Sequence, residues 1–261
     1  MIWNIDPIAL NLGAIQIHWY GITFALGLLS AYTLGEYIFK KEGKDTKLLE
    51  SFFIYLIIGI TIGARLAHVL FYDFDYYKNN PLEILYVWHG GLASHGGIVG
   101  AILAMWFWCK RYKIDFLWMF ARVAMATMLV AAFIRVGNFF NSEIVGLPTD
   151  SIFAVVFERV DNIPRHPVVL YEAIGYFLIF LISFYLYKKL DGKKFTQITP
   201  GFILTFGFLT RFILEYFKTP QSEFYKELPF SMGQILSIPF IIIGLFWFIL
   251  GIYKSTKKSS T

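Results

Sequence analysis

The chain has 261 residues, of which 57% are hydrophobic, 20% aromatic and only 16% charged, with a formal net charge of +5. Soluble domains carry about 25% charged residues, and a globule of this length has too much surface for its volume to hide so much apolar material. A soluble fold and a disordered chain are therefore excluded, and so is a disulfide-stapled scaffold, because Cys109 is the sole cysteine.

Lipid is the solvent that remains, and the chain reads as an all-α polytopic membrane protein. A bilayer core of about 30 Å needs around 20 apolar residues in helix. Seven stretches meet that requirement. The first, near 18–39, opens with His18 and Tyr20, and the second, near 50–72, carries Arg65 and His68. The third, near 92–109, is short and begins with His95, Gly96 and Gly97, so its outer end is expected to leave the helix. The fourth, near 115–140, ends with Arg135 and Asn138, followed by Asn141 and Glu143. Residues 141–167 then form the longest segment between spans, with enough Pro, Gly and mixed charge for an ordered external loop or small cap. The fifth span, near 168–188, starts with Tyr171 and Glu172; the sixth, near 199–218, holds Arg211 and Glu215; the seventh runs near 232–253. No linker divides them, so residues 1–261 are read as a single membrane-embedded domain. The first 17 residues contain no Lys or Arg, which is unlike a secretory signal.

Cytoplasmic loops collect Lys and Arg. Fourteen of them fall in the loops after spans one, three, five and seven, including Lys40, Lys110, Lys188 and Lys254. Five fall on the other side: Lys78, Arg159, Arg165, Lys218 and Lys226. The N-terminus is thus expected outside and the C-terminus in the cytoplasm. The short, separated basic loops suit anionic lipid head groups and form no face for nucleic acid.

Ionisable residues inside spans are costly and mark functional candidates. With this orientation, His18, Tyr20, Arg65, His68, His95, Arg135, Asn138, Arg211 and Glu215 all fall toward the outer surface, whereas Glu36 and Arg122 lie toward the cytoplasm. One outward-opening polar cavity accounts for that asymmetry. Each residue also has a plainer role available. Arg65 could sit in a structural ion pair, Arg211 could pair with Glu215 four residues on, and His68 reads as a packing residue before a base. Tyr20 occupies an ordinary aromatic belt position, and Asn138 and Asn141 could link helices. No His-Glu-x-x-His, Gly-x-Ser-x-Gly or phosphate-loop motif occurs, so metal hydrolysis, a serine nucleophile and a nucleotide-driven pump are poorly supported. Guanidinium groups grip phosphate in a fork. Arginines at head-group depth point to a phospholipid ligand, with phosphate as a leaving group.

The run Arg135-Val-Gly-Asn138-Phe-Phe-Asn141-Ser-Glu143-Ile-Val-Gly146 resembles the signature of the bacterial phosphatidylglycerol–prolipoprotein diacylglyceryl transferases. His18 to Gly21, His95-Gly96-Gly97, Arg165-His166-Pro167 with Tyr171-Glu172, Arg211 with Glu215, and Ser231 to Pro239 are similar to further motifs of that family, in the same order. Ile134 stands where the family usually has Gly, and Val168 and Val169 replace more polar residues. The resemblance implies a transferase of the bacterial cytoplasmic (inner) membrane, working at the outer leaflet. It would move the diacylglyceryl group of phosphatidylglycerol to the lipobox cysteine of a preprolipoprotein, forming a thioether and releasing glycerol phosphate. Arg135 and Arg211 would hold the phosphate, with Asn138, Asn141, Glu143, Gly146, Glu215, Arg65, Gly96 and Gly97 contributing to the substrate site. His95 would take the thiol proton, histidine being the side chain that titrates nearest neutrality, and Tyr20 would donate a hydrogen bond. The alternative is a small transporter or lipid-binding scaffold, which would carry ionisable residues along its whole path.

Overall fold

The computed structural model describes residues 1–13, 15–219 and 230–257; Lys226 and Lys258, counted above for orientation, lie outside them. Among the described residues there are seven helices of 19 residues or more: α1 (Trp19–Lys41), α2 (Lys47–Phe71), α4 (Ser94–Tyr112), α5 (Phe116–Phe140), α6 (Val168–Lys189), α7 (Gly192–Leu214) and α8 (Met232–Lys257), with the short α3 (Phe74–Asn79) between α2 and α4. Six of the seven are long and apolar enough to cross a membrane. The exception is α4, whose apolar middle lies between Ser94-His95 and Lys110-Arg111. Its glycines stay helical, contrary to the sequence expectation, because Ala93 is extended and the helix begins at Ser94. The sixth span starts earlier than expected. Asp191 accepts hydrogen bonds from the backbone of Lys193 (3.0 Å) and Lys194 (2.8 Å), so a capped turn precedes the apolar run.

The chain divides into two compact bodies, residues 1–34 with 121 onward, and residues 35–120. In the second body α2 and α4 pack through Gly59-x-x-x-Gly63-x-x-x-Ala67 against Gly96-x-x-x-Gly100-x-x-x-Ala104. A Cβ at Gly59 would stand 2.5 Å from Ala104 Cβ and 2.7 Å from the Gly100 carbonyl. Small residues let two backbones approach where lipid gives no hydrophobic drive for association. Trp108 is fully buried beside Phe52, with ring centres 5.0 Å apart.

In the first body α1 meets α5 where Gly137 lies against Tyr20 and Thr23, and α7 meets α8 where Gly201 and Gly244 lie against the facing backbone. Residues 141–167 fold into an ordered segment, called the cap below. Strand β4 (Val155–Phe157) pairs antiparallel with β5 (Pro164–Arg165) and parallel with β1 (Ile2–Trp3) at the N-terminus. A separate hairpin joins β2 (Ile8–Asn11) to β3 (Gln16–His18). The cap is pinned to α5 and α6 by a cluster of Trp3, Phe139, Val155, Phe157 and Val169, with Trp3 and Phe139 ring centres 4.3 Å apart. Val169, one of the departures from the family pattern, is thus a cap core residue.

Candidate functional site

In the first body, the end of α5, the turn after it, the start of α6 and the end of α7 bring charged side chains together. Glu172, on the first turns of α6, is fully buried. Its Oε2 lies 2.8 Å from Arg135 Nε and its Oε1 accepts from Lys218 Nζ at 2.8 Å. The Arg135 contact is ionic and lacks hydrogen-bond geometry. Lys218 also donates to Glu215 Oε2 at 3.1 Å. From Arg135 the network continues outward. Arg135 Nη1 donates to Asn138 Oδ1 (3.0 Å), Asn138 Nδ2 to Glu143 Oε2 (2.7 Å), and Asn141 Nδ2 to Glu143 Oε1 (3.1 Å). One buried carboxylate against two cations is the arrangement that makes a desolvated charge tolerable.

The helix that carries Arg135 ends abruptly so that Glu143 can turn back onto it. Ser142 and Ile144 both adopt left-handed backbone, at φ 55° and 54°. For a β-branched residue that conformation is a strained outlier. Backbone bonds hold it in place: Glu143 N to Asn138 O (3.0 Å), Gly146 N to His166 O (3.1 Å), and Leu147 N to Phe217 O (2.8 Å). Asn141 Oδ1 and Ser142 Oγ are buried there with no hydrogen-bond partner among the described residues. Gly146 touches His166 and Val168 so closely that a side chain would collide with them.

Arg211 differs from Arg135. It is half-buried and has no hydrogen-bond or ion-pair partner among the described residues. The sequence pairing of Arg211 with Glu215 does not form, because Glu215 turns to Lys218, while the α8 backbone at Gly233 closes over its carboxylate. Both guanidiniums act electrostatically on Tyr176. Arg211 lies on the last turn of α7, Glu215 opens the 3-10 turn that follows it, and Lys218 closes that turn. Gln234, near the start of α8, donates to the Phe212 carbonyl at 3.3 Å, and Ser231 and Gln234 cap α8 reciprocally. Lys218 is the site residue that sequence reasoning missed. In the sequence it counts only as an external charge, although its spacing from Glu215 is the available signal. Tyr20 packs on Gly137, two residues from Arg135, and stacks with Phe24.

In the second body, His95 is exposed on the first turn of α4. It lines a groove of about 1120 Å³ with Gly63, Leu66, Ala67, Gly96 and Val99. Arg65 pairs with no carboxylate among the described residues. It is buried, and its five N–H groups go to five backbone carbonyls: Nε to Ile84 (3.0 Å), Nη1 to Gly90 (2.5 Å) and Gly91 (3.1 Å), and Nη2 to Tyr86 (3.2 Å) and to Glu83. All five Arg65 donors are thus taken up by this loop. His68 stacks on Tyr72 and lies 3.5 Å from Asp73. His89, which is also followed by two glycines, is paired to Glu83 at 3.0 Å. Gly97 faces Ile60 and Ala64 at ordinary contact distance.

Residues 7–250 match the family described as prolipoprotein diacylglyceryl transferase. A relative from Tolumonas auensis named phosphatidylglycerol–prolipoprotein diacylglyceryl transferase is 47% identical over 246 residues, covering 94% of this chain and 95% of its own. Proteins of the same name from Chloroherpeton thalassium (46% identical; 98% and 95% covered) and Bacteroides fragilis (42%; 98% and 97%) are also similar along the chain.

Proposed function

The chain belongs to the prolipoprotein diacylglyceryl transferases, and from that premise we propose how its residues divide the reaction. It is a membrane transferase of lipoprotein biosynthesis that moves the diacylglyceryl group of phosphatidylglycerol to a prolipoprotein. The transporter alternative is set aside on the same ground. We read the whole chain as one membrane-embedded transferase domain with seven spans, α4 being the third. Its N-terminus is outside, its C-terminus in the cytoplasm, and its active site opens toward the outer leaflet of the bacterial inner membrane.

The acceptor is the lipobox cysteine thiol. A free thiol has a pKa of about 8.5 and reacts as thiolate, so its proton must be removed; His95 is assigned that proton. Sulfur attacks the glyceryl carbon next to the phosphate ester. The C–S bond forms, the C–O bond breaks, and glycerol phosphate leaves with the electron pair. Arg211 supplies a guanidinium fork to the phosphate, and Arg135 stabilises the same charge as it develops. Asn138 and Glu143 fix the orientation of Arg135, with Asn141 supporting Glu143. Glu215 and Lys218 shape the rim, Gly146 keeps the turn close to the cap, and Tyr20 offers a hydrogen bond to a substrate oxygen. Gly96 and Gly97 let the helix bearing His95 sit close to its neighbour. No metal or organic cofactor enters this scheme.

The observation that carries these roles is the contrast within one cluster. Arg135 is held by Glu172 and Asn138, while Arg211 has no hydrogen-bond or ion-pair partner among the described residues. The test uses the purified protein in detergent with phosphatidylglycerol and a lipobox peptide, read by mass. The peptide is expected to gain one diacylglyceryl group as glycerol phosphate appears, and a peptide with cysteine replaced by serine should gain nothing. Modification of the serine peptide would remove the thiol step. Orientation is checked with an impermeant maleimide on intact cells: a cysteine at Asp150 should react and one at Lys193 should not.

A further inference from the structure

We infer that Arg65 is a positioning residue for His95, fixing the chain that leads into α4 so that the first turn presents the imidazole in one place. This rests on the reading of His95 as the base for the thiol.

The guanidinium has five N–H donors in a rigid plane, and the five carbonyls they meet belong to Glu83, Ile84, Tyr86, Gly90 and Gly91. All five acceptors are backbone, so what they fix is the path of the loop and not a neighbouring side chain. The Tyr77 ring lies 4.9 Å from the guanidinium carbon, a cation–π contact on the remaining face. A buried cation is expensive to desolvate, and here the carbonyl dipoles of one loop, with the Tyr77 ring, supply the compensation. Opening the loop would strand the charge.

The loop then runs directly into the base. Two residues past Gly91, the Ala93 amide donates to the carbonyl of Ala64, the neighbour of Arg65, at 2.9 Å. His95 follows on the first turn of α4, which sits on α2 where Gly96 meets Gly63 and Ala67. His95 shares its groove with Leu66 and Ala67 from the same stretch of α2. Gly91 completes the device. Its φ is +70°, and a Cβ there would lie 2.7 Å from the His68 ring and 3.0 Å from Arg65 Nη1. Only glycine lets the backbone come so near the guanidinium.

A lysine at position 65 keeps the charge but has three donors and no fork, so at least two carbonyls would lose their partner. The experiment measures kcat and KM in detergent, with phosphatidylglycerol and a lipobox peptide, for the parent protein, Arg65→Lys, His95→Gln and the double variant. Misplacing a reacting group by about 1 Å costs on the order of 10²-fold, so Arg65→Lys should lower kcat by about that factor with KM for both substrates little changed. Loss of a general base costs about 10²–10⁴-fold, and the double variant should be no slower than His95→Gln alone. A multiplicative loss in the double variant, a change confined to KM, or a parental rate for Arg65→Lys would overturn the inference. If Arg65→Lys does not fold, Gly91→Ala, which disturbs the same loop from the backbone side, is read by the same criteria. A parental rate for His95→Gln would instead sink the reading of His95 as base, and with it this inference.

Discussion

Two arginine sites, one in each body, surround the same side chain in different ways. Arg65 is enclosed by carbonyls of one loop and has every donor occupied. Arg135 is tied to a fully buried carboxylate and an asparagine, and Arg211, on α7, has no such tie among the described residues. An arginine inside a membrane span is costly in either case. What separates a structural pin from a ligand-binding group is the inventory of acceptors around it, and that inventory is set by loops and helix ends far away in sequence.

The largest expected effect tests the ligand-binding side of the contrast. Arg135→Ala should reduce transfer of labelled phosphatidylglycerol to a lipobox peptide by about 10²–10³-fold, the usual cost of losing one charge-stabilising contact of the transition state. Arg211→Lys should raise KM for the phospholipid, because a point charge replaces a fork, whereas Arg65→Lys should act on kcat. If both lysine variants changed the same kinetic constant, the distinction between the two sites would collapse.

A second effect, of similar size in free energy, falls on stability. Glu172→Gln removes the one carboxylate shared by Arg135 and Lys218. Breaking a buried pair from one side costs about 3–5 kcal/mol, so thermal unfolding in detergent should shift clearly downward. Adding Lys218→Met to Glu172→Gln should recover part of the loss by removing one stranded cation. If the second substitution made matters worse, the three groups would not be one network. A comparable but purely steric test is Gly59→Leu at the α2–α4 seam. Overpacking typically costs about 1–3 kcal/mol, and the loss should appear in stability before it appears in the kinetics of the properly folded fraction.

The sequence made the helices legible because their signal is local: about 20 apolar residues and alternating basic loops need no partner to be recognised. The motif residues around Arg135 were legible for the same reason. What was hidden depended on distant pairing. Ile2 and Trp3 form a strand only because residues 155–157 lie beside them, and two-residue strands leave no periodic trace. Lys218 looked like one more external charge until Glu172, 46 residues earlier, was found against it. Arg65 was open to misreading because its partners are carbonyls, which every residue carries, so no side-chain pattern could announce them. The left-handed turns at Ser142 and Ile144 were invisible too, since neither residue type favours that conformation.

The smallest effect concerns the cap that closes over the Arg135 turn. Arg165 donates from Nε and Nη2 to Asp161 and from Nη1 to the Gly146 carbonyl, 3.1 Å away. The hydrogen bonds from Arg165 hold the Asp161 carboxyl below the usual carboxylate range. A carboxylate whose pKa is lower in the folded state favours folding at neutral pH, and that contribution is lost as pH falls from the ordinary carboxylate value through the depressed one. Asp161 is open to water, so solvent screening keeps the effect modest. Hydrogen exchange at the Gly146, Thr149 and His166 amides should therefore accelerate on acidification across that window, beyond the intrinsic pH dependence of exchange. Asp161→Asn should exchange faster at neutral pH and lose the extra acid step. An unchanged acid step in that variant would assign it to another group and leave Arg165 bound to the Gly146 turn without help from Asp161.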